Sequence, residues 1–219
     1  EHAYSTHTYQ HTTMGFLRDI KDMPNQFEYS RTFFDRWYRP EYTTIIIAGD
    51  VNPETALPLV EKYWGGWQRG SFTVDIPAEA PATKAVTVHH DWPAPTLPLL
   101  TVAVRGPGFL PANPEYAALD ALLDISFGQT SDLYRELVEE EQKVDQFMPY
   151  FGGNQDPGLA TIIARVKDPA DVAEVRDRII AEFGRAANTP VDPKKLADVK
   201  SYNRYAFART LDNSESIAS

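Results

Sequence analysis

At 219 residues, 42% hydrophobic and 12% aromatic, the chain carries enough apolar material for one large domain or two small ones, which excludes a disordered polymer. A formal charge of −10 argues against phosphate backbones as partners, and no apolar run approaches the ~18 residues a membrane helix needs. The absence of cysteine removes disulfide frameworks and thiolate zinc sites without locating the protein in any compartment.

In chain order, residues 1–15 are rich in His, Thr and Tyr and show no period. His7 and His11, four apart, are the candidate metal pair if a helix forms there, but Gln10 stands where an inverted zinc motif, H-x-x-E-H, needs a glutamate base. Threonines at 6, 8, 12 and 13 weaken that helix, so the reading of the residues is a polar loop with no catalytic and no metal residue. A short helix is expected over Gly15–Met23, then a second capped by Asn25 with Glu28 in capping-box position. Phe27, Ser30, Phe34 and Trp37 fall on one face of it and read as core. Arg39-Pro40 breaks the helix, and the β-branched run Thr43–Ile47 reads as a short buried strand closed by Gly49-Asp50. Trp37, Phe34 and Ile46 are expected to be buried together. Asn52-Pro53-Glu54 gives an N-cap, a first-turn proline and a first-turn acid, opening a helix that Gly65-Gly66 stops and in which Pro58 predicts a kink or a short irregular start.

Residues 71–95 read as a proline-interrupted extended linker, with one strand over Lys84–His90. His89 and His90 would point to opposite sides of that strand and read as surface residues. A strand is expected over Thr96–Arg105, a helix from Asn113-Pro114 burying Leu119, Leu122, Leu123 and Phe127, and another from Ser131 burying Leu133, Tyr134, Leu137 and Val138. The run Glu139–Glu141 reads as a solvated helix end. Val144–Phe151 and Leu159–Val166 read as antiparallel strands, the first an edge strand or bulged because of Pro149. Asp168-Pro169 opens a helix with Val172, Val175, Ile179 and Phe183 aligned, and Asp192-Pro193 another with Leu196, Val199, Asn203 and Phe207 aligned. The hairpin makes the fold class α+β, with helices on one face of each sheet. Thr43–Tyr63 and Thr161–Phe183 repeat one pattern of β-branched strand, Asx-Pro cap and amphipathic helix, which suggests two related units.

The segment His7-Thr8-Tyr9-x-His11-x-x-x-Gly15, with Asp19-Ile20, Phe33-Phe34, Tyr38-Arg39-Pro40 and Ile45-Ile46-Ile47-Ala48-Gly49-Asp50, resembles the pitrilysin (insulinase) family of zinc metallopeptidases, to which mitochondrial processing peptidases also belong. Gly128-Gln129-Thr130-Ser131-Asp132-Leu133 leading to Leu137, a Gly-x-x-Ser-x-Leu-x-x-x-Leu pattern, is similar to a helix of that family. The resemblance implies two-layer α/β units of the mitochondrial-processing-peptidase-like metallohydrolase type. It divides the chain into the end of a first domain (1–75), a linker (76–95) and most of a second, related domain (96–219). It makes His7 part of a loop motif rather than a ligand, and places the zinc-binding H-x-x-E-H pair before Glu1. The chain's start at Glu1 and its close within a helix-like pattern read as cuts from something longer.

By the same resemblance, a substrate-contacting Arg and Tyr would stand at positions held here by Val138 and Asp145, which disfavours a direct catalytic part. The implied role is a non-catalytic segment of a zinc-dependent endopeptidase that shapes the peptide chamber; a catalytically inactive subunit that recruits peptides or supports a partner is the alternative. No cofactor is expected in this chain, and zinc is expected in the parent. The expected partners are the parent's remaining domains, a peptide substrate and a homologous subunit, without nucleic acid or a membrane span. Alone, the chain is expected neither to bind zinc tightly nor to cleave peptides. The resemblance by itself favours a periplasmic or secreted bacterial protein.

Overall fold

Four helices begin on one local device. Asn52, Asn113, Asp168 and Asp192 each precede a proline, and each side chain accepts a hydrogen bond from the N–H two residues on, at 2.8 to 2.9 Å. The proline presets φ for the first turn and has no N–H to leave unpaired, so Asx-Pro is a strong start signal. The computed structural model describes residues 2–110 and 112–218, and these form two compact units. One contains the residues up to Asp91 together with those from Asp212; the other runs from Trp92 to Leu211.

In the first unit, helices α1 (Leu17–Asp22), α2 (Phe27–Trp37) and α3 (Pro53–Trp64) form, with a short α8 (Ser214–Ala218) at the chain end. Helix α2 starts from Gln26 without a side-chain cap rather than from an Asn25 capping box, and the Asn25 amide donates to Asp22 at 2.9 Å. Helix α3 runs through Pro58 as one element and stops at Gly65, whose N–H bonds to Glu61. The expected strand Thr43–Ile47 does not form, nor does the one over Lys84–His90. Nor is there an aromatic core: Phe34 is 55% and Ile46 65% exposed, and Trp37 is half-buried between the rings of Tyr42 and Phe72. These corrections share one cause. A strand exists only when a neighbour accepts and donates its ladder bonds, and an aromatic helix face becomes core only when a sheet lies under it. Among the described residues the first unit supplies neither, and His7 is its only buried side chain.

The second unit has both a sheet and its helical cover. Strands β1 (Leu99–Arg105), β2 (Val144–Phe151) and β3 (Leu159–Val166) make an antiparallel sheet in the order β1-β3-β2. Register runs from Leu99 opposite Arg165 to Arg105 opposite Leu159, and from Val144 opposite Val166 to Phe151 opposite Ala160. β2 is an edge strand with a bulge between Val144 and Gln146, and that position tolerates Pro149. Alternate β3 residues Ala160, Ile162, Ala164 and Val166 are fully buried under the helices, whereas Arg165 faces out. The cover consists of α4 (Pro114–Phe127), α5 (Asp132–Tyr134) and α6 (Val172–Asn188), with α7 (Pro193–Thr210) packed on α4. Phe127, Leu137, Val175 and Ile179 complete the core from the helical side. The expected alignment of α7 ends one residue early: Ala206 is half-buried and Phe207 is exposed.

From Arg135 to Glu140 the chain continues α5 as a π-helix, closed by the Glu141 N–H to the Glu136 carbonyl at 2.9 Å. Gln142 then takes φ of 52°, a left-handed turn that aims the chain into β2. The antiparallel hairpin and the one-sided helical cover make the fold the α+β two-layer class expected from the sequence.

Candidate functional site

Among the described residues, three groups of ionisable side chains come closest to a functional arrangement. The first holds the candidate metal pair. Thr8–Gln10 form a single 3₁₀ turn, not a helix presenting positions 7 and 11 on one face. His7 is buried, with Nδ1 accepting the Tyr9 N–H at 3.1 Å, whereas His11 is exposed, with Nδ1 2.9 Å from the Thr12 carbonyl. Each ring packs on a different aromatic partner, Tyr9 for His7 and Phe16 for His11. What organises this loop is Glu79. Its carboxylate accepts from the backbone N–H groups of Ser5, Thr6 and His7 and from the Ser5 hydroxyl, all at 2.8 to 2.9 Å. Those donors, His7 N–H first, hold the Glu79 carboxyl down to about 2. His89 and His90 are both exposed, and His89 Nε2 lies 2.9 Å from Asp91.

The second cluster is an ion-pair hub at the end of the π-helix. Arg178 donates to Glu141 at 2.9 Å and to Glu136 at 2.6 Å, and Lys143 lies 2.5 Å from Glu174 and 3.7 Å from Asp171. The bond from Lys143 lowers the Glu174 carboxyl, and the same bond raises Lys143. The run Glu139–Glu141, expected to be merely solvated, is therefore partly neutralised. π-winding also sets Glu140 five residues from Arg135 and 3.3 Å from its Nε, a spacing an ideal α-helix would not bring together.

The third cluster was not singled out in the sequence, although its spacing of i, i+4, i+8 on one helix could have shown it. Tyr116, Asp120 and Asp124 line one face of α4. Burial, then repulsion from Asp124, raises the Asp120 carboxyl. Asp124 accepts the Asn203 amide of α7 at 3.2 Å, and the Tyr116 hydroxyl donates to the Phe151 carbonyl at 3.0 Å. A raised carboxyl is a fit general acid in principle, but among the described residues no group of three or more histidines and carboxylates could hold a metal ion beside it. The row holds α4 against α7 and β2.

The positions aligned with a substrate-contacting pair are also occupied. Val138 is half-buried against the core, and Asp145 makes two hydrogen bonds to the Arg165 guanidinium across the β2–β3 ladder, at 2.7 and 3.0 Å. That partner lowers the Asp145 carboxyl. Among the described residues no group of three or more histidines and carboxylates could hold a metal ion, so these residues do not offer the three-ligand set of catalytic zinc. Among the described residues no helix is long and apolar enough to cross a membrane.

Residues 26–203 match the family described as the peptidase M16 inactive domain. A protease from Helicobacter pylori is similar in structure, with a TM-score of 0.83 at 23% identity, over 99% of this chain and 52% of that one. A protein from Alicyclobacillus acidocaldarius described as M16-like follows at a TM-score of 0.74 and 19% identity, over 98% of this chain and 51% of that one. The M16 inactive domain from Pseudomonas fluorescens gives 0.53 and 15%, over 72% and 38%. At these identities the likeness shows the fold, and the chain spans about half the length of the first two structures. No curated protein matches it.

Proposed function

Because this chain belongs to the peptidase M16 inactive-domain family, we propose that it is a non-catalytic segment of a pitrilysin-like zinc-dependent endopeptidase, where it shapes the chamber that receives the peptide. The observation that carries this reading is the family match over residues 26–203, joined to ionisable clusters that are committed to packing and capping. Zinc belongs, on this reading, to the remainder of the parent, where it would polarise the scissile carbonyl and activate water. We assign residues 1–75 to the end of one domain, 76–95 to a linker and 96–219 to the N-terminal part of a second, related domain. The peptide, the parent's other domains and a homologous subunit are the proposed partners.

A second reading draws support from Asp145. With its carboxylate paired to Arg165 and Val138 in the other aligned position, the second unit has no evident substrate-polarising donor there. A catalytically inactive family member that binds peptides or supports an active partner would carry such a unit equally well. One assay separates the two. The intact gene product is incubated with unfolded peptides, with and without a chelator, beside the 219-residue chain. Chelator-sensitive cleavage by the intact product alone supports the peptidase. Peptide binding without cleavage supports the inactive subunit, and cleavage by the 219-residue chain would overturn both.

A further inference from the structure

The contact between Glu79 and the loop 5–7 has the make-up of a binding site. Three successive backbone N–H groups, those of Ser5, Thr6 and His7, converge on one carboxylate, the concave arrangement by which backbone holds anions. The donors divide evenly between two oxygens. Oε1 accepts the Ser5 N–H at 2.9 Å and the Ser5 hydroxyl at 2.8 Å, and Oε2 accepts the N–H groups of Thr6 and His7 at 2.8 Å each. That division suits a planar, two-oxygen anion. The three N–H groups precede the 3₁₀ turn Thr8–Gln10, so they are not the orphan donors of a helix end. His7 is buried, whereas Ser5 and Thr6 are exposed, so the donors are reached from solvent on one side. No lysine or arginine acts on the Glu79 carboxyl, and the anion is held by N–H directions rather than by a cation.

The occupant comes from 72 to 74 residues along the chain, on a stretch with little else to fix it. Residues 73–79 lie in no helix or strand and make no backbone–backbone hydrogen bond among the described residues. Pro77 and Pro81 keep this strap extended. Glu79 therefore binds as a ligand does, through its own carboxylate, and another carboxylate can make the same four bonds.

We propose that Ser5–His7 form a carboxylate-binding site, and that Glu79 is its built-in occupant, closing it to other carboxylates while the strap 73–79 is in place. The ligand class is a carboxylate, from the end of a polypeptide chain or from an Asp or Glu side chain; backbone N–H clusters capture chain ends in this way. A tethered occupant competes at an effective concentration in roughly the millimolar range, so a small free carboxylate does not displace it. The proposal does not rest on peptidase activity.

Acetate is the probe, and the amide resonances of the 219-residue chain are the readout. In Glu79→Ala, acetate should move the Ser5, Thr6 and His7 amides together and saturably towards their positions in the parent chain. Half-saturation should come at an acetate concentration at least about tenfold lower than in the parent chain. Chloride at equal ionic strength should not reproduce the shifts, and unmoved β3 amides show that the chain is still folded. Two tripeptides then identify the source, one neutral with a free C-terminus and one amidated with a single Asp; binding by either supports the site. Amides of Glu79→Ala that ignore acetate and both peptides, or respond no differently to chloride, would overturn the proposal. Equal acetate titrations in the variant and the parent chain would do so too, because Glu79 would not then be the occupant.

Discussion

The segments Thr43–Tyr63 and Thr161–Phe183 use nearly the same local grammar and reach opposite outcomes. Both cap a helix from an Asx-Pro pair, with side-chain bonds of 2.8 and 2.9 Å. One has a sheet around it and buries Ile162 completely, and the other leaves three consecutive isoleucines in solvent. The difference teaches that capping and helix formation are decided within a few residues, whereas strand and core are decided by what arrives from far along the chain.

Core truncation should break the symmetry most strongly. Leu137→Ala or Ile162→Ala, both at side chains with no exposure, should destabilise the second unit by about 3–4 kcal/mol in denaturant unfolding, while Ile46→Ala in this chain should cost less than about 0.5 kcal/mol. Equal losses would mean that residues 43–48 are buried after all. A smaller effect is expected at the ion-pair hub. Arg178→Ala removes the cation that joins Glu136, Glu141 and Glu174, leaving Lys143 to offset Glu141 and Glu174 alone, and should cost about 1 kcal/mol at low salt, shrinking in 1 M salt. A loss indifferent to salt would assign the cost to packing of the arginine stem instead.

The caps sharpen the comparison further. Asp168→Ala should cost the second unit up to about 1 kcal/mol, because α6 is bound into a cooperative core. Asn52→Ala removes the same bond, but its cost should appear as fraying of α3 seen by circular dichroism rather than as a shift of the main unfolding transition.

Legibility in the sequence follows the same division. Pro149 announced an edge strand, and β2 is one; the runs at 144–151 and 159–166 paired in the expected antiparallel sense because only a short connection separates them. Thr43–Ile47 carried an equally strong strand signal, but propensity describes a residue's fit to a pleated surface and cannot supply that surface. The aromatic stripe of α2 failed for the same reason. At the candidate sites, His7 and His11 were conspicuous as residue types, whereas the partner that organises the loop, Glu79, lies over 70 residues away in a stretch read as linker. The hub at Lys143 and Arg178 was equally hidden, since it joins a π-turn to α6 across 37 and 42 residues.

Glu79 gives the last test, and its effect should be confined to one loop. Its carboxylate accepts three consecutive backbone N–H groups and the Ser5 hydroxyl, an arrangement that favours the charged form and depresses the carboxyl from its ordinary 4.5 to about 2. A depressed acid stabilises the folded loop in full above its unfolded value, and that contribution fades as the pH falls from about 4.5 towards 2. The amide resonances of Ser5, Thr6 and His7 should therefore titrate together with a midpoint near 2, while β3 amides stay still until the chain unfolds. In Glu79→Gln the common titration should vanish, because the amide oxygen carries no proton equilibrium in this range. A midpoint near 4.5 in the parent chain would show that these N–H groups do not hold the carboxylate in solution, and that the loop containing His7 is ordered by its ring contacts with Tyr4 and Tyr9 instead.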